Sequence, residues 1–350
     1  MSRIRLALLL SILACTGDKG AAGDDTQSGE SDADADADAD ADVDRDPHLL
    51  FPAGAVWYED LSAAPTDDRS ATVMAGLQSH GWGLGRLQID FSIEVLEGDA
   101  ATPRMDFIPK DGEFYSPDCD AVPMPVPAGG ALEGESGYAC EGDGDCHLIV
   151  VERDEDKLYE MWRADLQGSD LYGGCLAVWD LNTVYPAEGR GDQCSSADAA
   201  GYPIAQLLFT ADEVAAGEIN HGIRLALPNS IIQDGVFYHP ASHATNAGGG
   251  GEEAVPYGAR LRLKPDFDLN RIENENARVI AVAMMKHGLY LADGGNVALM
   301  GRSDRSSVNT WADLGIDSHA LEGIEPQDFE LVELASEPIE LTFECERNGL

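Results

Sequence analysis

Cysteine content is the feature of this sequence that most restricts its possible folds. Six of the seven cysteines lie in the last two thirds of the 350-residue chain: Cys119, Cys140, Cys146, Cys175, Cys194 and Cys345. In an exported chain, an even number of cysteines is typical of a disulfide framework, which here would hold three bonds. Many pairings are possible. The spacing favours Cys140–Cys146, which would close the loop CEGDGDC, and Cys175–Cys194, which would brace GGCLAVWDLN against DQCSSADAAG.

The N-terminus predicts that the chain is exported. Arg3 and Arg5 flank the start of an apolar run from Ile4 to Ala14, which is too short to span a bilayer as a mature helix and is typical of a signal peptide. The sequence ILAC at its end resembles a bacterial lipobox. This resemblance implies that Cys15 is acylated and attaches the chain to the lipid bilayer. By analogy with the known sorting rule, Thr16 in place of Asp favours the outer membrane or cell surface.

The chain divides into three parts. Residues 1–14 are the predicted signal peptide, residues 15–47 a predicted tether, and residues 48–350 a predicted single globular domain. The tether contains the strict alternation SDADADADADADVDRD and has almost no large apolar side chains. Such a segment cannot offset its conformational entropy by burial, so we expect a disordered spacer. A weak calcium-binding strip is the alternative, because alternate carboxylates offer oxygen ligands.

Acidic residues dominate the charge of the chain. Its formal net charge is −42, and residues 48–350 contain 52 acidic and 18 basic side chains. Nucleic acid is therefore excluded as a partner, because its affinity for proteins depends on cationic side chains that neutralise phosphates. A neutral glycan or a peptide is easier to accommodate than a polyanionic polysaccharide.

Short runs of β-branched and aromatic residues between turn signals predict strands. They occupy residues 86–96, 146–153, 157–165, 175–182, 221–228, 235–240 and 259–269. The two runs in HLIVVER-DEDK-LYEMW predict a hairpin.

Helical patterns are fewer. They cover residues 65–81, 210–218 and 276–288, and the second opens with the capping-box spacing of Thr210 and Glu213. The third is apolar nearly all round and should be buried. We therefore predict a mainly β (α+β) domain: a β-sandwich with one buried helix and a few short helices.

Several segments resemble an uncharacterised family of secreted bacterial proteins and lipoproteins. The segments are ERDEDKLYEM, SSADAAGYPI, GEINHGIR, GARLRLK and HGLYLADGG, which are similar to the family order DRDxxxLYEL, TSADAAGLPI, HALR, RLK and LADNG. Glu152 departs from this order, where the family tends to have Asp. The resemblance covers most of the chain after the tether and implies no assigned reaction.

Titratable residues in otherwise apolar segments form the candidate site. They are Asp198, Glu218, His221, His243 and Asp293. Two carboxyl groups about 5–10 Å apart, one protonated and one ionised, can hydrolyse a glycoside. A histidine beside a carboxylate can act as a general base. If the fold gathers these residues in one cleft, they predict that the chain binds a neutral extracellular glycan. If the chain is an enzyme, they predict that it hydrolyses this glycan.

Structural roles for the same residues are the alternative. Asp198 can cap the segment that follows it, and His221 can be a paired histidine of a buried strand. His239 and His243 suggest a metal site, although Pro240 favours a loop over a helix between them. The acids of the loop CEGDGDC suggest a calcium site, because their carboxylate oxygens suit this ion. They are Glu141, Asp143 and Asp145.

Arg260, Arg262 and Lys264 alternate with leucines on a predicted strand, inside a strongly acidic domain. We expect them to meet buried or half-buried carboxylates such as Asp266 or Asp293, and an anion-binding role is the alternative.

The sequence leaves two classes of function open. No G-x-S-x-G, H-E-x-x-H or Gly-rich phosphate loop is present, which disfavours protease, lipase and nucleotide chemistry. The first class is a glycan-binding lipoprotein with glycoside-hydrolase activity. The second is a non-catalytic surface, adhesion or structural module that calcium stabilises, and its acids and histidines maintain the fold.

Overall fold

The computed structural model describes residues 46–142 and 144–349. The predicted signal peptide, Cys15 and the tether up to Arg45 lie outside the described residues, as does Asp143. Within the described part, most regular structure is strand, which confirms the predicted mainly β fold with few helices. None of the helices in this part has the length and apolar character that a membrane span requires.

The largest sheet is mixed and has six strands. In spatial order they are β1 (Ile89–Ile93), β16 (Leu299–Arg302), β11 (Ile223–Leu227), β15 (Leu289–Gly294), β14 (Arg260–Leu263) and β17 (Phe329–Leu331). The pairs β1/β16 and β11/β15 are parallel, and the other pairs are antiparallel. Every residue of β11 and β14 is buried, so other parts of the chain cover both faces of this sheet.

A four-stranded sheet contains the predicted hairpin. Its order is β10 (Leu176–Asp180), β7 (Lys157–Met161), β6 (Leu148–Glu152) and β2 (Val95–Gly98). Strands β6 and β7 pair antiparallel, which confirms the hairpin. Ile149 and Val151 face the core that this sheet shares with the six-stranded sheet, whereas Leu148 and Val150 face a second apolar cluster. Alternate side chains of one strand thus belong to two cores.

The remaining strands form three small sheets. In the first, β12 (Ile232–Phe237) lies between β13 (Val255–Tyr257) and β18 (Ile339–Glu340). In the second, β9 (Asp170–Gly173) lies between β4 (Phe107–Pro109) and β8 (Asp165–Gln167). The third pairs β3 (Arg104–Met105) with β5 (Met124–Pro125). Each of the seven predicted strand segments overlaps a strand of the structure.

Three α-helices occur among the described residues: α1 (Ser70–His80), α2 (Ala211–Ala216) and α3 (Glu275–Lys286). Helix α2 begins with the predicted capping box, in which Thr210 and Glu213 each bond the other's backbone N–H. Helix α3 buries one face through Ile280 and Met284, but the side of Val282 is exposed. The buried face contacts β14, which confirms the prediction that this helix is buried against a sheet.

Three disulfides cross-link the described chain. The predicted Cys140–Cys146 bond is confirmed. The predicted Cys175–Cys194 bond is wrong, because Cys175 bonds Cys119 and Cys194 bonds Cys345. Sequence proximity favoured the wrong partner, whereas the fold brings the C-terminal segment back beside Cys194. Disulfides of this kind indicate that the chain matures in an oxidising, extracytoplasmic compartment.

We expect that removal of a disulfide lowers the stability of the domain according to the length of the loop that the bond closes. Cys194–Cys345 joins residues 151 positions apart, and Cys140–Cys146 joins residues 6 apart. Chain-entropy reasoning gives losses of about 5 and about 2 kcal/mol in the free energy of unfolding. Urea unfolding of the Cys194→Ser/Cys345→Ser and Cys140→Ser/Cys146→Ser double variants measures both. Equal losses, or the reverse order, would contradict the expectation.

Candidate functional site

A buried arginine connects two of the predicted carboxylates. Arg224, on β11, donates from Nη2 to Asp198 Oδ1 over 2.7 Å and to Asp293 Oδ2 over 2.8 Å. Its Nε also donates to Asp198 Oδ2 over 3.2 Å. The Asp198 side chain is 0% exposed, the Arg224 side chain 4% and the Asp293 side chain 22%. Asp198 is therefore enclosed by its partner, and only Asp293 reaches solvent.

An irregularity in β15 places Asp293 beside Arg224. Strands β11 and β15 pair Arg224 with Tyr290 and Leu225 with Leu291, but the next pair is Ala226 with Asp293. The extra residue, Ala292, shifts the alternation of side chains by one position. Asp293 consequently lies on the Arg224 face of the sheet, although simple alternation would put it on the Leu291 face.

Burial and charge set the protonation of this cluster. Burial lowers the pKa of Arg224, but the nearby Asp198 and Asp293 carboxylates raise it by more than burial lowers it. The pKa of Arg224 is therefore raised overall. Burial raises the pKa of Asp293 to about 7 even though Arg224 acts in the opposite direction. Arg224 thus stays charged, while Asp293 exchanges its proton near neutral pH.

The segment 194–202, which we call the central loop, surrounds Asp198. The backbone of Ala200 donates to Ala292 O over 2.8 Å and accepts from Ser242 N over 3.0 Å. Gly201 has a φ of +78°, and an added Cβ would lie 2.0 Å from Ser242 Oγ. The turn therefore requires glycine for both its conformation and its close contact.

A second buried ion pair supports the central loop. His147 Nδ1 lies 2.6 Å from Glu133 Oε2, and His147 Nε2 lies 3.0 Å from Ala197 O. Both neighbours are acceptors, so both ring nitrogens donate and the ring is an imidazolium. Burial lowers the pKa of His147, but the Glu133 carboxylate more than reverses this and raises it to about 9.

His221 has a separate partner. Its Nε2 lies 3.0 Å from Glu213 Oε1, and its Nδ1 lies 2.7 Å from Gly222 O. The other oxygen of Glu213 accepts from Thr210 in the capping box of α2. Burial lowers the pKa of His221, but the Glu213 carboxylate outweighs it, so the pKa is raised overall. This pair connects α2 to the start of β11.

Glu218 and His243 complete the predicted set. The side chain of Glu218 is 64% exposed and lies 3.5 Å from Lys286 Nζ. His243 Nδ1 lies 2.9 Å from Ala199 O, on the central loop. Burial lowers the pKa of His243, which favours the neutral ring. Glu218 therefore lies on the surface. The His243 ring contacts a backbone carbonyl of the central loop.

Only part of the predicted set comes together. Asp198 and Asp293 meet on Arg224, His243 contacts the same loop as Asp198, and His221 and Glu218 have other partners. The Asp198 side chain also accepts from Ala199 N over 3.1 Å, a bond to the next residue rather than a helix-capping bond.

Sequence reasoning missed four polar residues of this interior: Glu133, His147, Glu160 and Arg224. Arg224 had a usable signal, since a cation inside the apolar strand HGIRLAL needs an anionic partner. For Glu160 the sequence offers no such signal. It accepts hydrogen bonds from Trp179 Nε1 and Ala205 N, and burial raises its pKa to about 7.

The predicted metal ligands have other partners. His239 Nε2 lies 2.8 Å from Asp192 Oδ1, whereas His243 turns to Ala199 O. In the CEGDGDC loop, Asp145 accepts a hydrogen bond from Trp162 Nε1, and Asp143 lies outside the described residues.

Glu135, Cys140 and Cys146 place their ligand atoms within 4.8 Å of one another. Both of those sulfurs are joined in a disulfide, which removes the thiolates that a metal would need.

The cationic strand meets carboxylates other than those expected. Arg260 pairs with Glu59 over 2.6 Å, and Arg262 pairs with Glu330 over 2.6 Å. Lys264 donates to the backbone carbonyl of Gln327. The predicted half-buried carboxylate partner is confirmed for Arg262, whereas Arg260 pairs with an exposed carboxylate, and naming Asp266 or Asp293 as partners was wrong.

The cavities of the described structure include two that border charged side chains. One, of about 30 Å³, borders Glu213 and Arg302. The other, of about 130 Å³, lies beside Arg190 and Arg347. None of the five predicted site residues lines either cavity. No protein-family model, no curated protein and no solved structure matches this chain.

We expect His147 to make the stability of the domain depend on pH. Its pKa is about 9 in the folded protein and about 6.5 in an unfolded chain. The stabilisation from the bound proton is therefore complete below a pH of about 6.5 and is lost as the pH rises through about 9, a change on the order of 3 kcal/mol. Urea unfolding across this range measures it.

The matched variants are His147→Gln and His319→Gln, since the His319 side chain is 47% exposed. His147→Gln should reduce the fall in stability over this pH range, and His319→Gln should keep the wild-type fall. An equal fall in both variants would contradict the assignment.

Proposed function

We propose that this chain is a non-catalytic surface module, held to the cell envelope by an acylated Cys15, in which the buried acids and histidines maintain the fold. The observation that carries the proposal is the enclosure of Asp198 by Arg224. A carboxylate that is 0% exposed and held by one guanidinium cannot reach a glycosidic bond.

The arrangement of the other carboxyl groups supports the same proposal. A glycosidase needs an acid and a base or nucleophile on either side of one substrate position. Here Asp293 shares Arg224 with the enclosed Asp198, Glu218 lies on the surface, and Glu160 is fully buried against Trp179. A cleft with two accessible carboxyl groups is not formed by these residues.

A lipid-anchored location fits the remaining observations. The disulfides match an oxidising compartment, and a lipobox followed by a long acidic segment suits a domain displayed away from the bilayer. Adhesion or a structural role on the cell surface is the function that this arrangement supports best.

Hydrolysis of a neutral glycan is the second candidate. It is favoured by Asp293 alone, which is 22% exposed and has a pKa raised by burial to about 7, within the range of a general acid. The rest of the required site would have to come from residues outside the predicted set.

A screen of the full chain against a panel of neutral glycans, which records binding and product release separately, distinguishes the two candidates. We expect no product release from the wild type. The Asp293→Asn variant and the exposed control Asp266→Asn should then behave alike. Product release that Asp293→Asn abolishes and Asp266→Asn retains would overturn the non-catalytic proposal.

Mass spectrometry of the same preparation should find acylated Cys15 as the N-terminal residue, and an intact, unmodified residue 1–15 peptide would contradict the anchor.

A further inference from the structure

The larger cavity combines cationic side chains with the C-terminal segment. Its volume is about 130 Å³, well above the roughly 10–15 Å³ that one water molecule needs. The residues that line it are Lys157, Val178, Asp180, Tyr185, Arg190, Arg347 and Asn348. Three of these carry a positive charge, although the chain as a whole carries a net charge of −42.

Arg190 is the most buried of the three cations. Its side chain is 2% exposed, and its guanidinium lies 5.6 Å from the centre of the Trp179 ring. Nη2 donates to Asp120 over 2.5 Å and Nη1 donates to Ser195 O over 3.2 Å. The buried Nε has no hydrogen-bond partner within the described part of the chain. An unsatisfied buried donor of a charged group is costly, so this guanidinium depends on Asp120 and the Trp179 ring for its compensation.

Arg347 supplies further donors. Its Nη1 makes the hydrogen bonds found for this side chain in the described structure, to Pro117 O, Asp118 O and Asp120 Oδ1. These contacts leave Nη2 and Nε for an incoming acceptor, and the side chain is 31% exposed. Two guanidinium groups thus share the Asp120 carboxylate at one side of the cavity.

Lys157 and Tyr185 also line the cavity. Lys157 Nζ contacts Asp180 Oδ2 over 2.5 Å, and Tyr185 OH accepts from Asp180 N over 2.9 Å. Because the tyrosine oxygen is the acceptor in that bond, its own hydrogen remains available to donate. The ion pairs at the cavity thus join three cations, Lys157, Arg190 and Arg347, to two carboxylates, Asp120 and Asp180.

We propose that this cavity binds one compact oxyanion, a carboxylate, sulfate or phosphate group, through donors of Arg347, Lys157 and Tyr185, with the charge of Arg190 beside them. Planar guanidinium groups suit such ligands because they present parallel N–H donors. The site would bind a single anionic group rather than a polyanion, since the chain as a whole carries a net charge of −42 and repels polyanions. It does not depend on the function proposed above.

The Cys194–Cys345 disulfide positions this site. It fixes the C-terminal segment, and Asn348 N then donates to Arg190 O over 2.9 Å. The segment that carries Arg347 is therefore held at the cavity by a covalent bond as well as by hydrogen bonds.

Calorimetric titration of the full chain with sodium sulfate, sodium phosphate and sodium acetate tests the proposal, with glucose as the neutral control. We expect saturable binding of at least one of the three anions and none of glucose. Arg347→Gln and Lys157→Gln should each weaken that binding about tenfold or more, because each removes a charge-assisted donor. Arg190→Gln is avoided, since loss of so buried an ion pair threatens folding itself.

The matched control is Arg86→Gln, which removes an exposed arginine paired with Glu322 and should leave binding unchanged. The anion that binds most tightly identifies the ligand chemistry, whether carboxylate, sulfate or phosphate. Absence of saturable binding in the wild type would overturn the proposal. Equal binding by Arg347→Gln, Lys157→Gln and Arg86→Gln would also overturn it, because the anion would then bind elsewhere.

Discussion

A guanidinium in the middle of a six-stranded sheet is stable only if anions lie beside it, and Arg224 meets this requirement with Asp198 and Asp293. The two carboxylates come from distant parts of the chain: one from the central loop and one from the irregular strand β15. Satisfying one charge therefore fixes the position of both segments. Two further histidines, His147 and His243, contact the backbone of the loop that this pairing holds.

The central loop joins the two largest sheets. His147, next to the start of β6 in the four-stranded sheet, reaches Ala197 O, while Arg224 on β11 of the six-stranded sheet reaches Asp198. The Cys194–Cys345 bond attaches the C-terminal segment to the same loop. Buried charges are expensive unless they are paired, so this interior specifies one arrangement of loop and sheets. It also explains why so acidic a chain keeps most of its interior charges next to an arginine or an imidazolium.

Local patterns predicted the regular elements well, because strand alternation, capping and helix termination depend on neighbours in sequence. The hairpin of β6 and β7 and the capping box of Thr210 and Glu213 are examples. The site was harder to predict. Asp293 faces Arg224 only because one extra residue in β15 reverses the alternation, and no local pattern marks that position. The partner of Cys194 lies 151 residues away, so its choice depends on the complete fold. The pairing of Arg224 with carboxylates could have been predicted from the sequence. The argument is the same one that predicted carboxylate partners for Arg260 and Arg262.

The central claim, that Arg224 neutralises the enclosed Asp198 and the half-buried Asp293, which otherwise oppose folding, is tested most directly by a mutant cycle in urea unfolding. Arg224→Met alone should lower the free energy of unfolding by about 3–5 kcal/mol, because it leaves uncompensated buried charge. The triple variant Arg224→Met/Asp198→Asn/Asp293→Asn should be more stable than Arg224→Met, since its carboxylates are gone as well. A triple variant that is less stable than Arg224→Met by the sum of its added single losses would contradict the claim, and so would an Arg224→Met variant as stable as the wild type.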